Sequence, residues 1–294
     1  MKIRYVLRER TAGFVTAGTG PLDPRIVGGK HIDGVLWLVA QLEMPTGFGA
    51  VQNAYDDAVM SAGVLHHTAV LPREGRQGSL WGLVRALPRC EPVDALNSRL
   101  ARAGWTLKQD AVLRNSSGKA VTASEIRREI VGASMRVPPR GPEHEHAMSW
   151  ALAFAAAFAD SSTHSTQLQY AADWLIRESQ NEAYSTLCRY TTTALAAADS
   201  VLDLKTDLTM AVYHSFSANA PGEARRILQK WKGGGPELIA ALGTSAYGNW
   251  RDTDDGKSRY DRTRVAALRS GFWPADLINS YMPETIPIPE TSSE

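Results

Sequence analysis

A chain of 294 residues with 44% apolar and 21% charged side chains can bury a sizeable core as one large domain or two smaller ones, and it has the composition of a self-folding globular protein. Its 32 basic and 31 acidic residues leave a formal net charge of +1, which excludes the strongly basic footprint of a nucleic-acid binder. The longest apolar run, residues 147–159, falls below the ~18 residues of a membrane span, so a buried helix is expected there and no membrane insertion.

The N-terminal MKIRYVLRERTAGF is basic, but its apolar core is only Tyr5, Val6 and Leu7, short of the roughly 7–15 residues of a secretory leader. Synthesis in the cytoplasm without a signal peptide is therefore expected. Residues 11–34, rich in glycine, proline and threonine, read as an irregular opening segment. Val35, Leu38, Val39 and Leu42 then recur at helical spacing and predict a helix with Asp33 as N-cap, Glu43 in its last turn and one buried face. SLWGLVRAL, residues 79–87, predicts a second helix that starts at Ser79 and stops before Pro88. Cys90 and Cys188 are far apart and lack a CxxC partner, which points to free thiols. WTLKQDAVLRNSSGKAVT, from Trp105, alternates as a β-hairpin does and predicts a turn at NSSGK; it is the main strand signal of the chain. Thr122 and Glu125 form a capping box for a helix that ends at Gly132.

RVPPRGP, residues 136–142, marks a boundary between a first lobe, about 1–135, and a helical second lobe, about 143–282, followed by a fraying tail, 283–294. Helices are predicted over 143–159, 165–180, 181–199, 200–217 and 222–232. Asn219 and Pro221 fit a helix start and Gly233–Gly235 a stop. A short helix from ELIAALG, a polar loop and a helix ending before Pro274 complete the chain. The expected fold is mainly α, with helix in more than half of the residues and strand confined mainly to 105–122.

QLEMPTGFGAVQNAYDDAVMSAGVL, residues 41–65, carries the chemistry. Glu43 at a helix C-terminus, packed against Trp37 or Phe48, would hold a proton more tightly, as a general acid for glycoside cleavage requires. An exposed glutamate without a task fits the same pattern. Asp56 and Asp57 follow across a glycine-broken loop that can fold back to face Glu43. An inverting glycosidase separates its carboxylates by about 6.5–9.5 Å and a retaining one by about 5–5.5 Å, and spacing along the chain does not choose between them. Capping of the next helix or pairing with an arginine is the competing account of these two aspartates.

The run VLWLVAQLE…FGAVQNAYDDAVMSAGVL, residues 35–65, resembles the catalytic region of lysozyme-superfamily glycosidases, in particular the chitosanase-like and muramidase branch of phage lysins and secreted antibacterial effectors. The hairpin-to-helix stretch from Trp105 and VYHSFSANAPGEARRIL resemble elements of similar wall-acting proteins. The resemblance implies a two-lobed lysozyme-like helical fold with a small β-hairpin. It implies Glu43 as acid and Asp56, after Tyr55, as the residue that activates water or stabilises the transition state. It also implies that Ser61 and Gly63 shape a glycan cleft together with Tyr55, Asp57 and His66. His66 stands where such families often have Gln. The expected activity is a muramidase cutting β-1,4 bonds of peptidoglycan, without metal or cofactor, reaching the wall after lysis, export or injection. An immunity or delivery protein is the other expected partner. Chitosan or chitin is the alternative substrate, and a noncatalytic wall-binding component is the alternative of another class.

EHEH, residues 143–146, sets His144 and His146 two apart, on different helix faces, and does not make a zinc site. DTDDG, residues 252–256, departs from a calcium loop in the place of its glycine and in Thr263 where the loop needs Glu. Of the eight tryptophans, Trp81, Trp105, Trp250 and Trp273 fall near loops or element ends, where an indole can stack on a sugar or simply fill a core. NWRDTDDGKSRYDR, residues 249–262, mixes aromatics, acids and amides as glycan subsites do and as solvated loops do.

Overall fold

A computed structural model of the chain describes residues 3–8, 11–16, 18–19, 31–43, 47–53, 58–71, 75–132, 142–181, 204–231, 234–251 and 256–284. The described residues are mainly helical, and none of their helices is long and apolar enough to cross a membrane. The chain forms two compact units, one of residues 1–22 and 44–171 and the other of 23–43 and 172–294.

The first unit is organised by the apolar run anticipated above. Helix α5, Pro142–Ala159, buries Ala147, Trp150, Ala151, Phe154, Ala155 and Phe158, a 3–4 spacing that makes one continuous stripe. Its aromatic rings run in file, joined by Trp105 from outside the helix: Trp105 stacks on Trp150 at 6.2 Å, Trp150 is tilted against Phe154 at 6.0 Å, and Phe154 stacks on Phe158 at 6.2 Å. Small residues at the end of the helix admit a backbone instead. Gly49, with φ of 77°, passes so close that a Cβ would lie 2.7 Å from the Ala159 methyl.

Against α5 lies an antiparallel sheet in the order β1 (Ile3–Arg8), β2 (Thr11–Thr16), β3 (Val51–Asn53), β4 (Met60–Ala62) and β5 (His67–Thr68). Asn53, wholly buried, fastens the layers: its Nδ2 donates to Ala147 O at 3.0 Å and its Oδ1 accepts from Phe14 N at 2.8 Å. This sheet corrects two expectations. Strand is not confined to 105–122, and residues 11–16 of the segment expected to be irregular form its second strand. The strand it pairs with, β1, carries a sequence signal of its own, since Ile3, Tyr5 and Leu7 recur with period two.

A short pair, β6 (Val70–Leu71) with β7 (Arg76–Gln77), leads to α2, Leu80–Ala86, and α3, Glu91–Arg102. The hairpin of β8 (Trp105–Leu107) and β9 (Leu113–Asn115) turns at 108–112, where Lys108 N meets Val112 O at 3.2 Å, and not at NSSGK. NSSGK is a second turn, closed by Asn115 Oδ1, which accepts from Ser117 N and Lys119 N. Gln77 clamps the region, donating to Leu113 O and Val121 O and accepting from Leu113 N. The capping box of Thr122 and Glu125 opens α4, Ala123–Val131, and Gly132 closes it, as its sequence predicts. Helix α6, His164–Asn181, follows, and the division between the units falls within it rather than at 136–142. Residues 136–141 and the expected helix over 181–199 lie outside the described residues, apart from Asn181.

The second unit is helical. It comprises α1 (His31–Glu43), α7 (Leu204–Ser217), α8 (Pro221–Lys230), α9 (Gly235–Gly243), α10 (Arg259–Ser270) and α11 (Ala275–Tyr281). Helix α1 begins two residues before Asp33, so Asp33 is inside the helix and not its N-cap. Residues 34–40 are all buried, against an expectation of one buried face, because α7 and α10 both pack on α1. Gly235 starts α9 where a stop was expected, with Gly234 as N-cap.

Asn53→Ala deprives two buried backbone groups of the partner that Asn53 supplies, each worth about 1–3 kcal/mol. The expected loss of stability is about 2–5 kcal/mol by urea denaturation, against about 1 kcal/mol for the exposed cap variant Thr122→Ala.

Candidate functional site

The end of α1 and the end of α7 both present backbone carbonyls that no further turn satisfies, with the negative end of each helix dipole beside them. Arg259, the first residue of α10, meets both. Its Nη1 donates to Leu42 O at 3.3 Å and its Nη2 to Ser215 O at 2.7 Å. The same Nη2 lies 2.5 Å from Oε1 of Glu43, and the two side chains are only 3% and 4% exposed. The carboxylate's other oxygen, Oε2, accepts from Nδ2 of Asn219, an exposed residue just beyond α7. Glu43 is therefore a buried carboxylate with one oxygen anchored by a guanidinium and the other held by the amide of an exposed asparagine.

An aromatic pair completes the constellation. The Tyr247 ring lies 5.4 Å from the Arg259 guanidinium, and its side chain hydrogen-bonds to that of Asn219. Burial pushes the Tyr247 phenol up from its ordinary value, with the positive charge of Arg259 acting the other way. Trp250 stacks on Tyr247 with centroids 6.4 Å apart and planes 13° from parallel, and 43% of Trp250 remains exposed.

Local chemistry holds these groups in place. The Glu223 carboxylate accepts from the backbone N–H groups of Ala246 and Tyr247 at 3.0 and 3.1 Å, pinning the loop after α9. Gly248 lets that loop fold against the helix end, since a Cβ there would sit 2.2 Å from Leu242 O. Arg259 N then donates to Trp250 O and Tyr260 N to Gly248 O. A capping box of Ser258 and Asp261 starts α10 at the residue before Arg259. What the arrangement offers is an open indole face, an exposed amide and a half-buried phenol beside a fixed, buried carboxylate of the second unit.

Sequence reasoning placed Glu43 in the last turn of α1, where it is. The aromatics expected beside it are elsewhere: Trp37 packs on Phe272 at 6.2 Å, and Phe48 stacks on His164 at 3.7 Å within the first unit. The carboxylate instead meets Arg259, which no local pattern announces. Trp250 is the open indole of the four singled out, while Trp81, Trp105 and Trp273 are buried.

Tyr55, Asp56 and Asp57 lie outside the described residues. Ser61 lies inside β4, paired with both neighbouring strands, and Gly63 and His66 lie in the turn from β4 to β5, all in the first unit. Ser61 is 3% exposed, and Gly63 has φ of 78° with Leu83 so near that a Cβ would lie 2.7 Å from it. His66, half-buried with φ of 59°, closes the turn through its N–H to Gly63 O at 3.0 Å. Its neighbour His67 points inward, Nδ1 lying 3.1 Å from Ser79 Oγ and the ring edge-on to Tyr170. His146 engages Glu129 O at 2.7 Å and Trp150 Nε1 at 3.2 Å, and among the described residues no three His, Cys, Asp or Glu side chains are grouped to hold a metal ion. Comparison of the chain with protein-family models, with curated proteins and with solved structures finds no match.

One titratable group next to the site gives the second unit a pH dependence. His214, on α7 beside Ser215, is buried, and desolvation lowers its pKa from 6.5 to about 4. The folded unit keeps the ring neutral while the unfolded chain protonates it near 6.5. This stabilisation is complete above pH 6.5 and is lost as pH falls toward 4, by about 3 kcal/mol in all. Denaturant midpoints of the parent should fall over that window, and His214→Leu should remove that component of the slope.

Proposed function

We propose that the chain is a peptidoglycan hydrolase of the muramidase type, with Glu43 as its general acid. The observation that carries the reading is the split environment of Glu43: Oε1 anchored by buried Arg259, and Oε2 covered by the amide of exposed Asn219, next to the Tyr247–Trp250 platform. A pyranose stacks its C–H face on Trp250. The Asn219 amide and Tyr247 hydroxyl take its acetamido or hydroxyl groups. A glycosidic oxygen displaces Asn219 from Oε2 and receives the proton there from the protonated, neutral form of Glu43, whose Oε1 still accepts from Arg259 and so keeps the carboxyl in one orientation. The chain acts at the wall after lysis, export or injection.

A second reading, a noncatalytic wall-binding component, is favoured by one feature: both oxygens of Glu43 already have partners and the ion pair is buried. Such a pair fastens helices whether or not it does chemistry.

Purified sacculi separate the two. The parent is expected to clear them and to leave reducing muramic acid ends by mass spectrometry. Glu43→Gln should slow clearing by at least ~10²-fold, within the usual range for a general acid. Glutamine also leaves Arg259 buried without its counter-charge, so circular dichroism must show the variant folded. Trp250→Ala, on an exposed ring, should keep the fold and weaken sacculus binding about 2–10-fold. A parent that binds sacculi without cutting them establishes the second reading, and one that does neither ends both.

A further inference from the structure

The first unit holds a cavity of about 550 Å³ between α2, α3 and β8, a size typical of small-ligand sites. Its floor is apolar: Val84, Leu87, Val93, Leu100 and Trp105 are each at most 8% exposed. Its rim is cationic. Of the thirteen residues lining it, Arg85, Arg89 and Lys108 are basic, all three are exposed, and none of the thirteen is acidic. Arg89 is paired with Asp94 at 3.3 Å, whereas neither Arg85 nor Lys108 forms an ion pair among the described residues. Asn97, Thr106 and Gln109 add amide and hydroxyl groups to the same mouth.

A ligand complementary to this cavity has small apolar groups for the floor, amides for the polar mouth and carboxylates for the two uncompensated cations. A saccharide lacks the apolar groups, and an unmodified lipid chain lacks the amides. A short peptide with free carboxylates has all three.

We propose that this cavity binds the peptide stem of the bacterial wall polymer, its alanyl methyls against Val84, Val93 and Leu100 and its carboxylates at Arg85 and Lys108. The identity of the peptide rests on the proposed wall-hydrolase function; the type of chemistry recognised rests on the cavity. The chain would then read both parts of its substrate, glycan in the second unit and peptide in the first.

The test is isothermal titration of the full chain with the free stem tetrapeptide released from sacculi by an amidase, and with a peptide-free chitotetraose as control. The double variant Arg85→Glu/Lys108→Glu, made at exposed positions that leave the core intact, is expected to bind tetrapeptide at least tenfold more weakly and chitotetraose unchanged. Arg102→Glu, an exposed position outside the cavity, should leave tetrapeptide binding as in the parent. No binding of tetrapeptide by the parent, or equal loss in Arg102→Glu and the double variant, overturns the proposal. In a parallel assay the double variant should clear intact sacculi several-fold more slowly yet cut peptide-stripped glycan at the parental rate. If the parent cuts neither polymer, the hydrolase reading fails, and the titration alone still decides the cavity.

Discussion

Burying an arginine costs several kcal/mol of lost hydration, and the second unit offsets that cost by bringing two other chain segments to the Arg259 guanidinium. Leu42 and Glu43 end α1, Ser215 lies near the end of α7, and Arg259 itself begins α10. The guanidinium answers helix ends that would otherwise leave carbonyls unsatisfied, and it completes its charge balance with the Glu43 carboxylate. Each group is costly to bury alone, so the positions of α1, α7 and α10 are mutually dependent. The capping box that starts α10 and the Glu223 hold on the 246–247 backbone then fix where Asn219, Tyr247 and Trp250 meet this pair.

The same interaction gives Glu43 two different oxygens. A flexible surface glutamate would have to be oriented by its substrate, at an entropic cost to any reaction. Here orientation is supplied in advance by Arg259, and the groups that lie between the carboxylate and solvent are the Asn219 amide and the Tyr247–Trp250 stack. The first unit reaches rigidity by other means, through the aromatic file along α5 and the hydrogen bonds of Asn53 into α5 and β2. Its basic cavity offers charge and amides but no exposed indole, a chemistry complementary to that of the second unit.

The helices were legible because their signals are local. The 3–4 spacing of residues 147–158, the Thr122–Glu125 capping box and Pro221 at the start of α8 each lie within a few turns of chain. The five-stranded sheet was not legible, since β3, β4 and β5 are two or three residues long and show no period of their own. Glu43 stood out by its place at a helix end. Its partners did not, because Arg259 is 216 positions away and Asn219 176. A polar loop rich in aromatics flagged 249–262, and Trp250 is the residue there with an open face; its stacking on Tyr247 emerges only from the fold.

Nuclear magnetic resonance of the indole N–H groups, titrated with chitotetraose and then with soluble muropeptides, tests most directly whether the Glu43 surface is a saccharide site. Saturable shifts of the Trp250 indole and of the Asn219 side-chain amide, with the buried Trp81 and Trp150 signals unmoved, are the result this account predicts. Titration to saturation of either ligand with Trp250 and Asn219 unmoved, or with shifts confined to other tryptophans, would contradict it.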